Sequence, residues 1–152
     1  MREAIIVDTS CLILLSKIDS IEILKTLYEK VLTTPQVLEE YNHAQPEFIQ
    51  IRKPTDTSLQ QALSQILGKG ESSVIALGFE IPESLLVIDD RKARKVAKSL
   101  DFAVTGTLGI LVKAKQAGVI SQIKPLLDKL PQTDFRISAT VVAKILEIAG
   151  EN

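Results

Sequence analysis

Apolar positions along this chain follow two different periods. Four short runs carry no internal charge: "AIIV" (4–7), "VLTT" after Lys30 (30–34), "LLVI" (85–88) and "FAV" (102–104). Runs of this length, rich in β-branched residues, read as strands buried on both faces, as in a parallel sheet. "FIQIRKP" (48–54) alternates only weakly and reads as an edge strand. Between these runs the apolar residues return at helical spacing. Helices are expected over 10–18, and from the capping-box pattern Asp19 to Glu22 through Tyr28. A third follows Thr34, with Pro35 at the first position, where a missing N–H costs nothing, and it carries Glu39 and Glu40. Asp56 caps a helix with Leu59, Ala62, Leu63, Ile66 and Leu67 at helical spacing, ended by Gly68. Gly70 opens "ESSVIALGF", and further helices are expected over about 90–99 and 107–118. Two more follow, the last from Ser138 to about Ala149.

Strands alternating with helices imply βαβ units. The expected fold is a three-layer α/β/α domain over residues 1–152, with a central parallel sheet of four or five strands. Such sheets bind ligands beyond the carboxyl ends of their strands, where the strand order reverses. Asp8, Asp89 and Asp90 should stand there, with Thr105 and Thr107 nearby.

Composition narrows the classes. The 152 residues are 45% hydrophobic with a formal charge of -1, which fits a folded globular chain. No global basic field draws it to nucleic acid, although a local patch is still allowed. No stretch approaches the ~20 apolar residues of a membrane helix. The opening "MREAIIVDTS" meets an acid too soon for a signal peptide. The one cysteine, Cys11, cannot form an internal disulfide, which fits a cytoplasmic location.

Each acid taken alone has an ordinary explanation. Asp8 and one of Asp89 or Asp90 suit helix N-caps. Glu39 or Glu40 suits a solvated helix face, and Glu71 suits the positive end of a helix dipole. Taken together they imply more. Two strand ends and two helices each bring a carboxylate towards one edge of one sheet. Carboxylates gathered without balancing cations repel one another until a divalent cation joins them. Oxygen donors select Mg²⁺ or Mn²⁺, whereas zinc wants Cys and His, of which the chain offers only Cys11 and His43.

The segments "IIVDTS", "TPQVLEEY", "GKGESSVIALG", "LLVIDDRKARKVA" and "VTGTLGILVKAKQAGVI" resemble, in that order, the motifs of the PIN-domain superfamily. The likeness is to a bacterial and archaeal branch with D-D-x-x-A-R and G-T-L-G segments. "FRISATVVAKILEIAGE" resembles that branch's final helix, so the likeness covers nearly the whole chain. It implies a metal-dependent nuclease, acting mostly on single-stranded RNA, with one or two Mg²⁺ or Mn²⁺ ions. Many relatives are the toxin half of toxin–antitoxin pairs, and homodimers are common, so an antitoxin protein and a second copy are expected partners. Carried over, the catalytic acids are Asp8, Glu40, Glu71 and Asp90. Glu40 matches better than Glu39 because an apolar residue follows the family's acid, and here Tyr41 follows Glu40. The metal ligands are Asp8, Glu71 and Asp90, with Asp89 close enough to serve. "VTGT" stands where some relatives offer another Asp or Asn, so Thr105 or Thr107 is expected only to position a water.

Hydrolysis of a phosphodiester needs an activated water and a neutralised leaving oxygen, both of which a bound metal supplies. Arg91 and Arg94 are expected to meet the phosphates, with Ser10, Thr105 and Thr107 completing the substrate contacts. Two competing readings remain. A haloacid-dehalogenase-like phosphatase also ends its first strand on Asp, but it needs an acid two residues on, where this chain has Ser10. The other is an inactive PIN fold kept as a nucleic-acid-binding or interaction module.

Overall fold

The computed structural model describes residues 4–130 and 137–151. The expected domain span also includes residues 1–3, 131–136 and 152, which lie outside the described residues, as do Phe135 and Arg136 of the final motif.

Five parallel strands form the sheet: β1 (Ala4–Val7), β2 (Lys30–Thr33), β3 (Ile49–Ile51), β4 (Leu85–Val87) and β5 (Ala103–Thr105). Their spatial order is β3-β2-β1-β4-β5. The chain builds outward from β1 to β2 and β3, then returns to the other side of β1 for β4 and β5. The order therefore reverses between β1 and β4. Two bonds extend the ladder past the strand ends at this point: Asp8 N–H donates to Val87 O at 3.0 Å, and Ile88 N–H to Thr105 O at 2.9 Å.

β1 reads as an unbroken apolar run because it is central and covered on both faces. Ile5, Ile6 and Val7 are all fully buried. Burying three such side chains contributes roughly 5–9 kcal/mol, an upper figure because a real unfolded chain already hides some surface. β3 is the edge strand, and only Ile49 of its three residues is buried, which explains its weak pattern. Helices cover both faces, giving the three layers. The helices nearest the site are α1 (Thr9–Lys17), α3 (Pro35–Tyr41), α5 (Lys69–Gly78), α6 (Arg91–Ser99) and α7 (Thr107–Gln116). α2 (Glu22–Leu27), α4 (Thr57–Leu63), α8 (Lys124–Leu127) and α9 (Ala139–Ala149) complete the set among the described residues. None is long and apolar enough to cross a membrane.

Several caps stand where the sequence puts them. Thr34 Oγ1 accepts from Val37 N–H at 3.2 Å, Asp56 Oδ1 from Leu59 N–H at 2.9 Å, and Ser138 Oγ from Val141 N–H at 3.2 Å. Two expectations fail. Asp19 does not open a capping box. It sits in the left-handed region at φ 55°, within the turn that ends α1, and α2 begins only after Ile21. α4 does not reach Gly68 but stops at Leu63. Beyond it Gln65 N–H and Ile66 N–H reach back three residues, to Ala62 O and Leu63 O, tightening the chain into turns.

Glu151 fastens the end of α9 to the body. Its Oε2 accepts from Lys115 Nζ at 2.8 Å and Ile123 N–H at 2.7 Å, and its Oε1 from Lys124 N–H at 3.0 Å. These donors, led by the Ile123 N–H, hold its pKa at about 2, against an ordinary 4.5. The folded value is depressed, so the clasp stabilises above about pH 4.5 and is lost as pH falls towards 2. Glu151→Gln should therefore lower the urea midpoint at neutral pH, and the gap to wild type should close in the acid limb of the pH series.

Candidate active site

Asp8 is the N-cap residue of α1 at the carboxyl end of β1, only 4% exposed. Its side chain caps nothing. Helix capping therefore does not explain a carboxylate in the interior. Thr9 follows and turns its hydroxyl to Glu40 of α3, at 2.6 Å from Oε1, while Asp8 Oδ1 lies 3.5 Å away. A hydroxyl has one proton, so the short bond to Glu40 takes it. Gly70, in the first turn of α5, closes the other side. A Cβ there would clash with Glu40 Oε1 and lie 3.2 Å from Asp8 Oδ1. The missing side chain leaves the space that the Glu40 carboxylate occupies.

Buried hydroxyls join α3 to α5. Val37 N–H donates to Thr34 Oγ1, the Thr34 and Ser73 hydroxyls are 2.6 Å apart, and Ser73 Oγ donates to Gly70 O at 2.7 Å. With the Ser73 proton committed to Gly70, Thr34 must donate to Ser73. This directed chain fixes the helix bearing Glu40 against the helix bearing Glu71. Thr33 Oγ1 adds a bond to Val7 O at 2.7 Å, beside Asp8.

Glu71 is half-buried and its Oε1 accepts from Gly68 N–H at 3.1 Å. Burial raises its pKa first, then the negative charge of Asp90, with Glu40 and a hydrogen bond to Asp90 adding to this and the Gly68 N–H opposing it. Glu71 and Asp90 thus meet across the switch point. Asp8 is pushed up to about 7, chiefly by burial, with Glu71, Glu40 and Asp89 reinforcing it and the Thr9 backbone N–H opposing. The three side-chain charges that act on Asp8 most strongly, those of Glu71, Glu40 and Asp89, are all negative. Burial also raises the Cys11 thiol, aided by Asp89 and Asp8, so Cys11 is an inert core residue rather than a nucleophile.

The structure separates the two adjacent aspartates. Asp90 is exposed, caps α6 through Oδ2 at 2.9 Å from Ala93 N–H, and meets Glu71. Asp89 turns the other way. Its Oδ1 accepts from Thr107 N–H at 2.7 Å and its Oδ2 from Thr107 Oγ1 at 2.6 Å. Both its oxygens serve the first residue of α7, and a Cβ at Gly106 would meet both Asp89 Oδ1 and Arg94 Nη1. Thr107 itself is fully buried, so it stands behind Asp89 and not at a substrate face. Thr105 is half-buried with its hydroxyl packed against Gly109. Ser10 and Arg91 are exposed in the first turns of α1 and α6, and Arg94 is half-buried. Glu39, like Glu40, is exposed, but Glu40 is the one beside Thr9 and Gly70. Thr9, Thr34, Ser73, Gly70 and Gly106 do not stand out as site residues in the sequence. The hydroxyl after Asp in "VDTS" and the glycine in "GKGES" are the signals that point to two of them.

Among the described residues, no three acidic, His or Cys side chains stand together as a group that could hold a metal ion. Glu71 is bonded to Gly68 N–H, Asp90 to Ala93 N–H and Asp89 to Thr107. The donor chemistry nevertheless fits a hard divalent cation, being all oxygen around a buried carboxylate on which Glu71, Glu40 and Asp89 act with charge of its own sign.

A folded pKa near 7 against an ordinary 3.8 means that the native state holds the Asp8 proton more tightly. Its destabilisation is absent below about 3.8, grows as pH rises, and is complete above about 7, with an upper bound on the order of 4 kcal/mol. Asp8→Asn should therefore melt higher than wild type in chelator at alkaline pH, with the difference vanishing in acid. A variant that melts lower throughout contradicts this. Gly70→Ala should keep the fold, since helix propensity favours Ala by about 1 kcal/mol, while displacing Glu40. Its melting temperature should rise less with added Mn²⁺ than that of wild type.

A family model described as DUF3368, PIN domain, matches residues 4–151. No curated protein and no solved structure matches the chain. The match runs from the first residue of β1 to the Glu151 clasp, taking in every strand and every acid at the switch point, and on that extent the chain belongs to the PIN-domain family.

Proposed function

We propose that this chain is a metal-dependent nuclease that hydrolyses phosphodiesters of single-stranded RNA. PIN domains are generally nucleases that act on nucleic acids and typically use divalent metals. The observation that carries the reading is Asp8: a carboxylate 4% exposed, surrounded by negative charge, at the strand-order reversal of a parallel sheet. An arrangement so costly when empty is explained by a cation that offsets it.

Asp8, Glu40, Glu71 and Asp90 would hold Mg²⁺ or Mn²⁺, with Glu71 and Asp90 released from their backbone donors. Asp89 is the weaker ligand because Thr107 occupies both its oxygens. When bound, such an ion lowers the pKa of water and neutralises phosphate oxygens. The chain's own groups do the rest. Burial and the negative charge of Asp90 raise the Glu71 pKa, so its carboxylate is the stronger base suited to accept a proton. Thr9 holds Glu40, and Asp89 holds the start of α7. Arg91 and Arg94 present guanidinium groups that match phosphate oxygens in pairs. Ser10 and Thr105 are the remaining polar groups of the substrate face.

The toxin role, an antitoxin partner, a homodimer and a cytoplasmic setting extend this reading and rest on family likeness. A small DNA-binding protein encoded directly upstream would support the toxin role, and sedimentation tests the dimer. A second reading, an inactive binding module, draws on the same hydrogen bonds that keep Glu71, Asp89 and Asp90 engaged with backbone and Thr107.

Cleavage of fluorescently labelled single-stranded RNA separates the two. Mn²⁺ or Mg²⁺ should support it, and chelator should abolish it. Asp8→Asn should reduce it at least about a hundredfold, the scale of several kcal/mol of lost transition-state stabilisation, with an unchanged circular dichroism spectrum. Full activity in chelator or in the variant contradicts the mechanism. RNA binding without cleavage favours the module.

A further inference from the structure

α6 carries five Lys or Arg residues within Arg91–Lys98 and no acid. Four of them, Arg91, Arg94, Lys95 and Lys98, line one cavity of about 490 Å³ together with Asp89. Lys92 does not line it. The pairs Arg91–Lys95 and Arg94–Lys98 stand four residues apart, and Arg91–Arg94 and Lys95–Lys98 three apart, so each cation faces another at the spacing where like charges destabilise a helix. Arg91 is also the first residue of α6, where the helix dipole disfavours a positive charge. Among the described residues none of the four forms an ion pair. The four cations share the cavity with one carboxylate, Asp89, next in sequence to the acid that meets Glu71.

We propose that this face of α6 is a phosphate track, along which the backbone of a single-stranded nucleic acid runs away from the acid cluster, with Lys95 and Lys98 holding phosphates beyond the one being cleaved. The proposal rests on the nuclease reading and adds to it the residues that set how much of the strand is gripped. At about 1.5 Å per residue, Arg91 to Lys98 spans about 10 Å, or about three nucleotides of a stacked strand. At about 490 Å³ the cavity is of the size of a sugar–phosphate segment. Arg94, half-buried and beside Asp89, fixes the inner end. Asp89 is held by Thr107 and so does not fold back to neutralise the cations further out.

The test is fluorescence anisotropy of a short labelled RNA strand on the full chain in chelator, across a salt series. Removing one phosphate-binding cation should reduce the slope of log affinity against log salt by about 0.7. Lys95→Gln/Lys98→Gln should therefore lower the slope by about 1.4 and weaken binding about tenfold at low salt, and Lys92→Gln should leave the slope unchanged. The affinity gained on lengthening the strand from two to six nucleotides should be present in wild type and missing in the double variant. Equal reductions of slope in Lys92→Gln and the double variant, or a duplex that competes as well as the single strand, would overturn the track. A labelled-RNA cleavage assay with Mn²⁺ on the same proteins keeps the two ideas apart. Cleavage that is indifferent to Lys95 and Lys98 sinks the track alone, whereas α6-dependent binding without cleavage sinks the nuclease reading alone.

Discussion

Asp8 ends the central strand with its carboxylate in the interior, and Glu40, Glu71 and Asp89 act on it with charge of its own sign. A buried carboxylate without a positive partner is among the larger penalties a small fold can carry. Here its upper bound is on the order of 4 kcal/mol, against a total stability of about 5–15 kcal/mol for a typical domain. The neighbouring packing offsets it: Ile5, Ile6 and Val7 of the same strand are completely enclosed. The sheet order has the same consequence, because the reversal between β1 and β4 places the two acid-bearing strand ends side by side.

Holding repelling groups together requires bonds that do not themselves carry charge. The structure supplies them from hydroxyls and backbone. Thr9 holds Glu40, the Thr34–Ser73–Gly70 chain fixes α3 against α5, and Thr107 holds Asp89 by two short bonds. Gly70 leaves the space that the Glu40 carboxylate occupies, and Gly106 the space of the Asp89 and Arg94 side-chain ends. Positive charge is concentrated on α6, where four cations line a cavity that Asp89 borders. The site is thus a negative pocket beside a positive groove, the polarity that a phosphodiester with a divalent ion requires.

Much of this was legible in the sequence, and the limits are physical. Strands buried on both faces announce themselves as unbroken apolar runs, which is why β1 and β4 and the acids ending them were readable. Local caps were readable where one side chain reaches one backbone donor, as with Thr34 and Asp56. Asp19 misled because its capping pattern needs extended backbone, whereas the turn after α1 put it in the left-handed region. Which of Asp89 and Asp90 faces Glu71 depends on a threonine 18 residues from Asp89, and no local pattern encodes that pairing. The hydroxyl chain between α3 and α5 joins residues 39 positions apart and was invisible for the same reason.

Calorimetric titration of Mn²⁺ into the protein, repeated in buffers of different ionisation enthalpy, tests the central claim most directly. If the buried, proton-holding Asp8 carboxylate is a ligand, the ion must displace its proton. Below about pH 7, binding should release close to one proton per site, falling towards none as the pH is raised well above that value. Absence of binding at millimolar Mn²⁺, or binding below pH 7 that releases no proton, would contradict the account.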